Sequence, residues 1–192
     1  KSMSALYLIN RYMVQEQVPD YQMAYRLTDI MVKSDTNNVQ AVILRDKLKY
    51  LKTTETNQII PNFSVKDINN KNITQDSLKG KLNIISLWAS WSYDSQNFQK
   101  NLRKLQKKYG DDIKMMSICL DARVAECRER SKRDSMLWYN ICDGRMWDMP
   151  IVQQLGLSTL PSNIIFDEKG KILCRDLVLK DFNDKVAALL DK

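Results

Sequence analysis

Residues 82–95 read Leu82-Asn83-Ile84-Ile85-Ser86-Leu87-Trp88-Ala89-Ser90-Trp91-Ser92-Tyr93-Asp94-Ser95. The first seven form an apolar run in which Ile84, Ile85 and Leu87 do not alternate cleanly with polar residues. That is the pattern of a strand covered on both faces, and therefore central in its sheet. Beyond the stretch, Phe98, Leu102, Leu105 and Tyr109 recur at i, i+4, i+7 and i+11. Gly110 then stands where a helix C-terminus wants a left-handed residue. The spacing predicts a strand, a short turn and an amphipathic helix, in that order.

Downstream the alternation continues. Residues 113–120 read as a second buried strand, 123–134 as a charged helix, and 138–142 as a short strand leading into Asp143-Gly144. Residues 150–155 predict a short helix, Leu160-Pro161 a break, 163–166 a strand, Glu168-Lys169-Gly170 a hairpin turn and 172–174 its partner. Phe182, Val186 and Leu189 or Leu190 define a terminal helix. This is an α/β order: a mixed sheet sandwiched between helices and ending in an antiparallel hairpin. Upstream, Pro61, the run 63–65, the polar turn 67–72 and Ile73-Thr74 predict an N-terminal β-hairpin, and Gly80 ends the connection.

Residues 1–55 contain no glycine and one proline, and they repeat a 3.6-residue apolar period. Three helices fit. Ala5, Ile9, Tyr12 and Met13 share the first inward face, with Ser2 or Ser4 as cap. Val18-Pro19-Asp20 breaks the chain and starts the second helix, with Met23, Leu27, Ile30 and Met31 inward. After a polar break at 35–38, Ala41, Leu44, Leu48 and Leu51 form the third stripe. The two loops differ and the pattern does not recur beyond Lys52, so this is a preceding helical segment and not a solenoid. The domain division expected is 1–55 and 56–192.

Composition narrows the chemistry. At 192 residues, 44% hydrophobic and 28% charged, the chain is long enough to bury a core without staples. It contains no histidine, which excludes Ser/His/Asp and Cys/His catalytic pairs, histidine metal sites and imidazole proton shuttles. The four cysteines, Cys119, Cys127, Cys142 and Cys174, include no Cys-x-x-Cys pair and read as buried apolar residues. Only Cys127, on a helix with Arg123, Arg128 and Arg130, has surroundings that would modestly favour a thiolate. No cofactor and no metal are expected. The net charge of +7 is spread along several segments, a pattern of solvated helix faces and not of nucleic-acid binding. The charge-free residues 82–93 include Asn83 and three serines, well short of the roughly 20 apolar residues that span a bilayer. Lys1 is not an initiator methionine, so any leader or anchor is expected to lie outside this sequence.

The segment from Trp88 to Ser95 resembles the W-A-S-W-C-x-x-C active-site segment of thioredoxin-like proteins. The likeness extends along residues 59–191. Ile60-Pro61-Asn62-Phe63 resembles the start of the family's extra hairpin, and Leu78-Lys79-Gly80-Lys81 the entry to its first core strand. Leu120-Asp121 matches the end of the next strand, Leu160-Pro161-Ser162 the loop whose proline is cis in this superfamily, and Asp167 to Lys171 the final hairpin. The subgroup it looks most like is the envelope-anchored TlpA/ResA type, grouped with alkyl hydroperoxide reductase and thiol-specific antioxidant (AhpC/TSA) proteins. The resemblance implies a thioredoxin-like fold, a place on the periplasmic side of the bacterial cell envelope, and membrane contact only through an anchor.

The departure lies at the chemical centre. Where relatives carry the attacking and resolving cysteines, this chain has Ser92 and Ser95. A serine hydroxyl is un-ionised at neutral pH and forms no exchangeable S–S bond, and no imidazole is present to activate it. Asp94, in the first helical turn, suits the helix dipole but would oppose a neighbouring thiolate. Ser92-Tyr93-Asp94-Ser95 therefore reads as a helix N-cap, with Ser92 or Ser90 accepting from backbone N–H groups and no catalytic residue. Trp88 reads as core, whereas Trp91 and Tyr93 are hard to bury at a turn. With Asp94, Leu160 and Pro161 they make the candidate binding surface for an extended protein or peptide client. The expectation is a redox-inactive binding protein. The alternative, a working thiol-disulfide oxidoreductase, needs cysteines at 92 and 95 or action by another cysteine. None of the four follows the serine or threonine at i−3 that a peroxidatic motif requires.

Overall fold

The computed structural model describes residues 2–16 and 19–191. Val18, expected at the first helix break, lies outside the described residues, as does the side chain of Ser2. The chain divides into two compact units, one ending at Glu55 and one beginning at Thr56.

The first unit holds α1 (Ser2–Ile9), a π-helical turn over Asn10–Val14, α2 (Tyr21–Ser34) and α3 (Val39–Leu51). Polar side chains set the two later starts: Asp20 accepts the Met23 N–H at 2.8 Å and Asn38 the Ala41 N–H at 3.2 Å. The third stripe packs as expected, with Ala41, Leu48 and Leu51 buried and Leu44 against them. The other two need correction. In α2 the buried face is Tyr21, Ala24, Thr28 and Val32, while Met23 and Ile30 are 39% and 62% exposed. Small residues decide this: Ala24 and Ala41 have no exposure at all, and Thr28 returns its hydroxyl to the Ala24 carbonyl at 2.8 Å. Close helix approach outweighs the burial of longer side chains. In the first stripe Leu6 and Ile9 are buried and Tyr12 is exposed. The wide turn after Ile9, closed by Gln15 N–H to Asn10 C=O, changes the phase of the face.

The second unit opens with the hairpin β1 (Ser64–Lys66) and β2 (Asn72–Thr74) and then builds β3 (Leu82–Trp88), α4 (Tyr93–Tyr109), β4 (Ile113–Cys119), α5 (Val124–Arg133), β5 (Tyr139–Ile141), α6 (Pro150–Gln154), β6 (Ser162–Asp167), β7 (Ile172–Arg175) and α7 (Leu179–Leu190). The sheet order is β5-β4-β3-β6-β7. β3, β4 and β5 run parallel, and β6 and β7 return antiparallel. β3 is the central strand and all seven of its residues are buried. Ile85 and Leu87 pack on one face with the hairpin and α6, and Leu82, Ile84 and Trp88 on the other with α4, α5 and α7. On that second face Phe98 of α4 meets Phe182 of α7 edge-on, with centroids 4.8 Å apart.

Both hairpin turns use an aspartate as a backbone clamp. Asp67 Oδ1 accepts the N–H groups of Asn69 and Lys71, with Asn70 at φ 64°; Asp167 Oδ1 does the same for Lys169 and Lys171, with Gly170 at φ 81°. The sheet edges are partly met: residues 57–60 hydrogen-bond to Ile172 at the start of β7 and to Gly170 before it, and Ile68 N–H reaches the Asn140 carbonyl on β5.

Candidate functional site

At the C-terminal end of β3 the chain leaves the sheet through Ala89–Trp91 and enters α4. Three contacts fix this turn. Leu120 N–H donates to the Trp88 carbonyl at 2.9 Å, Ser90 N–H to Asp121 Oδ1 at 2.9 Å, and Gln96 Nε2 to the Ser90 carbonyl at 2.7 Å. Arg130 of α5 in turn donates to Gln96 Oε1. Ser92 has extended backbone angles and its hydroxyl accepts the Ser95 N–H at 3.3 Å, so it is the N-cap of α4. Asp94 lies in the first turn, exposed.

The two serines differ in surroundings. Ser92 is half-buried and capped, whereas Ser95 is fully buried with its Oγ unpaired. Two further buried polar atoms without hydrogen-bond partners flank the turn in sequence and topology, Trp88 Nε1 and Asp121 Oδ2. Trp88 is a core residue at 1% exposure. Trp91 and Tyr93 stand out, 61% and 73% exposed.

The β3–β6 register pairs Leu87 with Ser162, so Leu160 and Pro161, which precede β6, lie at the same end of the sheet as the 89–92 turn. Both are half-buried, and their peptide bond is cis. A groove of about 460 Å³ lined by Ser90 and by Glu126, Glu129, Arg130 and Arg133 of α5 borders the turn from the other side. The fold thus gathers Trp91, Ser92, Tyr93, Asp94, Leu160 and Pro161 at one end of the sheet.

No family model matches the chain. Among curated proteins it is similar to the thioredoxin-like protein YneN of Bacillus subtilis, 28% identical over 116 residues, which cover 60% of this chain and 67% of YneN. Among solved structures it is similar to the C-terminal domain of a protein assigned as a thiol-disulfide oxidoreductase in Bacteroides thetaiotaomicron. That match has 28% identity and a TM-score of 0.65, and covers 72% of this chain and 98% of that domain. The chain has the thioredoxin-like fold of thiol-disulfide oxidoreductases. A thiol-disulfide oxidoreductase of Bacteroides fragilis gives a TM-score of 0.62 at 25% identity, covering 69% of this chain and all of that one.

Within this thioredoxin-like fold the cysteines are buried or half-buried as expected, but three of them converge, which the sequence reading did not foresee. Cys119 ends β4, Cys142 follows β5, and Cys127 faces inward from α5, so that their three Sγ atoms lie within 4.8 Å of one another, all buried. Cys127 turns to the buried face of α5 and is wholly buried, so the charged residues along its helix do not make it an exposed thiol. Its thiol is pushed up to about 12: a hydrogen bond with Cys119 lowers it, but the bond shared with Cys142 and burial outweigh that. Cys119 is raised by hydrogen bonds to Cys127 and Cys142 and by burial. Cys142 donates its thiol hydrogen to the Asp121 carbonyl at 3.4 Å, and the neighbouring Cys119 and then Cys127 thiols hold it below the ordinary thiol value. Cys174 stands apart on β7, half-buried, and burial raises its thiol to about 11.

The spacings of 8 and 15 residues hid this cluster. A usable signal was present: Ile118-Cys119 and Ile141-Cys142 end neighbouring strands in the same phase, and Ile118 pairs with Ile141.

Proposed function

We propose that this chain is a redox-inactive thioredoxin-like protein of the TlpA/ResA type that holds an extended protein or peptide segment at the surface of Trp91, Tyr93, Asp94, Leu160 and Pro161. The observation that carries the reading is serine at both positions, 92 and 95, where an exchanging dithiol would stand. A capping hydroxyl whose lone pair already meets the Ser95 N–H is neither a thiolate nor a thiolate substitute. What remains is a turn pinned at several backbone points and presenting two large aromatic side chains to solvent. Exposed aromatics bind at low entropic cost, and the half-buried pair Leu160 and Pro161 lies at the same end of the sheet.

The reading includes a place on the periplasmic side of the cell envelope, with the membrane reached only through an anchor outside these residues. That part rests on the resemblance. No helix among the described residues is long and apolar enough to cross a membrane. Binding of reduced, carboxymethylated insulin chains, followed by fluorescence anisotropy, tests the proposal. Trp91→Ala and Tyr93→Ala are each expected to weaken binding about tenfold, or about 1.4 kcal/mol, at unchanged stability. Equal binding by all three proteins would refute this surface.

A further inference from the structure

Three cysteines that pack singly as small apolar residues have no reason to converge, yet the sulfurs of Cys119, Cys127 and Cys142 lie within 4.8 Å of one another at exposures of 0%, 0% and 6%. The parallel pairing of β4 with β5 sets the first and last side by side, and α5, the crossover between those strands, lays the second upon them. Each sulfur also has a polar group beside it. The backbone of Asp121 and Gly144 lies beside Cys119 and Cys142, and in the metal-free geometry the Cys142 thiol donates to the Asp121 carbonyl at 3.4 Å. Ser131, one helical turn beyond Cys127 and adjacent to its sulfur, is 3% exposed and its hydroxyl has no hydrogen-bond partner. A neutral thiol is a poor acceptor, whereas a ligating thiolate is a strong one, and donors to ligand sulfurs are what orient and tune thiolate metal centres. Gly144 is required for this approach: it sits at φ 80°, and a Cβ there would stand 2.8 Å from the Ala122 carbonyl oxygen.

We propose that Cys119, Cys127 and Cys142 form a three-sulfur binding site for monovalent copper. Soft thiolates select copper(I) and zinc(II) among common ions. A closed zinc site takes four ligands, but no carboxylate or fourth cysteine among the described residues joins the three, and the chain has no histidine. A three-coordinate soft ion fits this donor set. Metal–sulfur bonds of about 2.3 Å in a trigonal plane place the sulfurs about 4 Å apart, so the present spacing needs less than about 1 Å of closure. Binding forms three copper–sulfur bonds, the protons of the ligating thiols pass to buffer, and no electron is transferred. Entry is provided at Cys142, which lines a surface pocket of about 490 Å³ together with Ile68, Val124, Arg128 and Arg145.

The test is an anaerobic titration of the fully reduced protein with copper(I) in competition with a colorimetric chelator, bathocuproine disulfonate. One equivalent is expected to be retained, and the Cys174→Ser variant should match the wild type. Ser131→Ala should weaken retention about 10- to 100-fold with its circular dichroism unchanged, and Cys142→Ser should abolish it. Because core variants can unfold, alkylation of the wild type supplies a second reading. After copper(I) loading, iodoacetamide should modify Cys142, the one sulfur of the three that lines the surface pocket, more slowly than in the copper-free protein, and excess chelator should restore the copper-free rate; an unchanged rate would count against the site. No ion retained by the folded wild type would overturn the site. So would equal retention by a Cys119→Ser/Cys127→Ser/Cys142→Ser protein, or a Cys119–Cys142 disulfide whose reduction restores no copper uptake.

Discussion

The Ser92 hydroxyl and the Cys174 thiol mark two ways in which one side chain sets the behaviour of its surroundings. Ser92 accepts an N–H that would otherwise be orphaned at the start of α4, a stabilising role that needs no ligand. Cys174 is raised by burial from an ordinary value of 9.0 to about 11. The folded state therefore keeps the proton that the unfolded chain gives up. Its contribution to stability is complete below about pH 9 and is lost as pH rises from 9 toward 11. Urea midpoints at pH 8 and pH 10.5 are expected to fall more for the wild type than for Cys174→Ala. Equal falls would mean that the thiol ionises freely in the folded protein. At this scale the sequence was a good guide to the cap, since a serine before an amphipathic run has few other roles. It was a poor guide to Cys127, whose charged neighbours along the helix say nothing of the face on which the sulfur lies.

Among the elements, β3 and α4 meet through a polar layer within an apolar interface. Gln99 of α4 donates to Ser86 Oγ at 3.1 Å and accepts from Ser117 Oγ at 2.9 Å. The two serines bond each other across β3 and β4 at 2.8 Å, and Trp138 Nε1 closes the set on Ser117 at 2.7 Å. A buried network is stabilising only while each member is satisfied. Gln99→Leu is expected to lower stability by about 1–3 kcal/mol in urea unfolding, despite the added apolar volume. A gain in stability would show that the layer contributes nothing. The strands and helices of residues 56–192 were legible because apolar periodicity and turn residues agree along the chain. The α2 face was not, because Ala24 and Thr28 win the interior by being small, and hydropathy alone does not register that.

At the level of the whole molecule, the central place of β3, the closing antiparallel hairpin and the position of the 89–92 turn followed from alternating strands and helices, and the structural likenesses share the fold. The sulfur cluster did not follow, because it depends on register between strands distant in sequence. The fold holds the frame of an exchange enzyme, and its motif holds hydroxyls where that enzyme needs sulfur. The most direct comparison is insulin reduction with dithiothreitol as electron donor, by the wild-type chain and by Ser92→Cys/Ser95→Cys. The wild type is expected to give no turnover above the dithiothreitol background, and the double variant to turn over, since strand, turn and cap already place the two side chains one helical turn apart. Turnover by the wild type that disappears with Cys142→Ser would contradict this reading and make the protein an oxidoreductase working from its buried sulfurs.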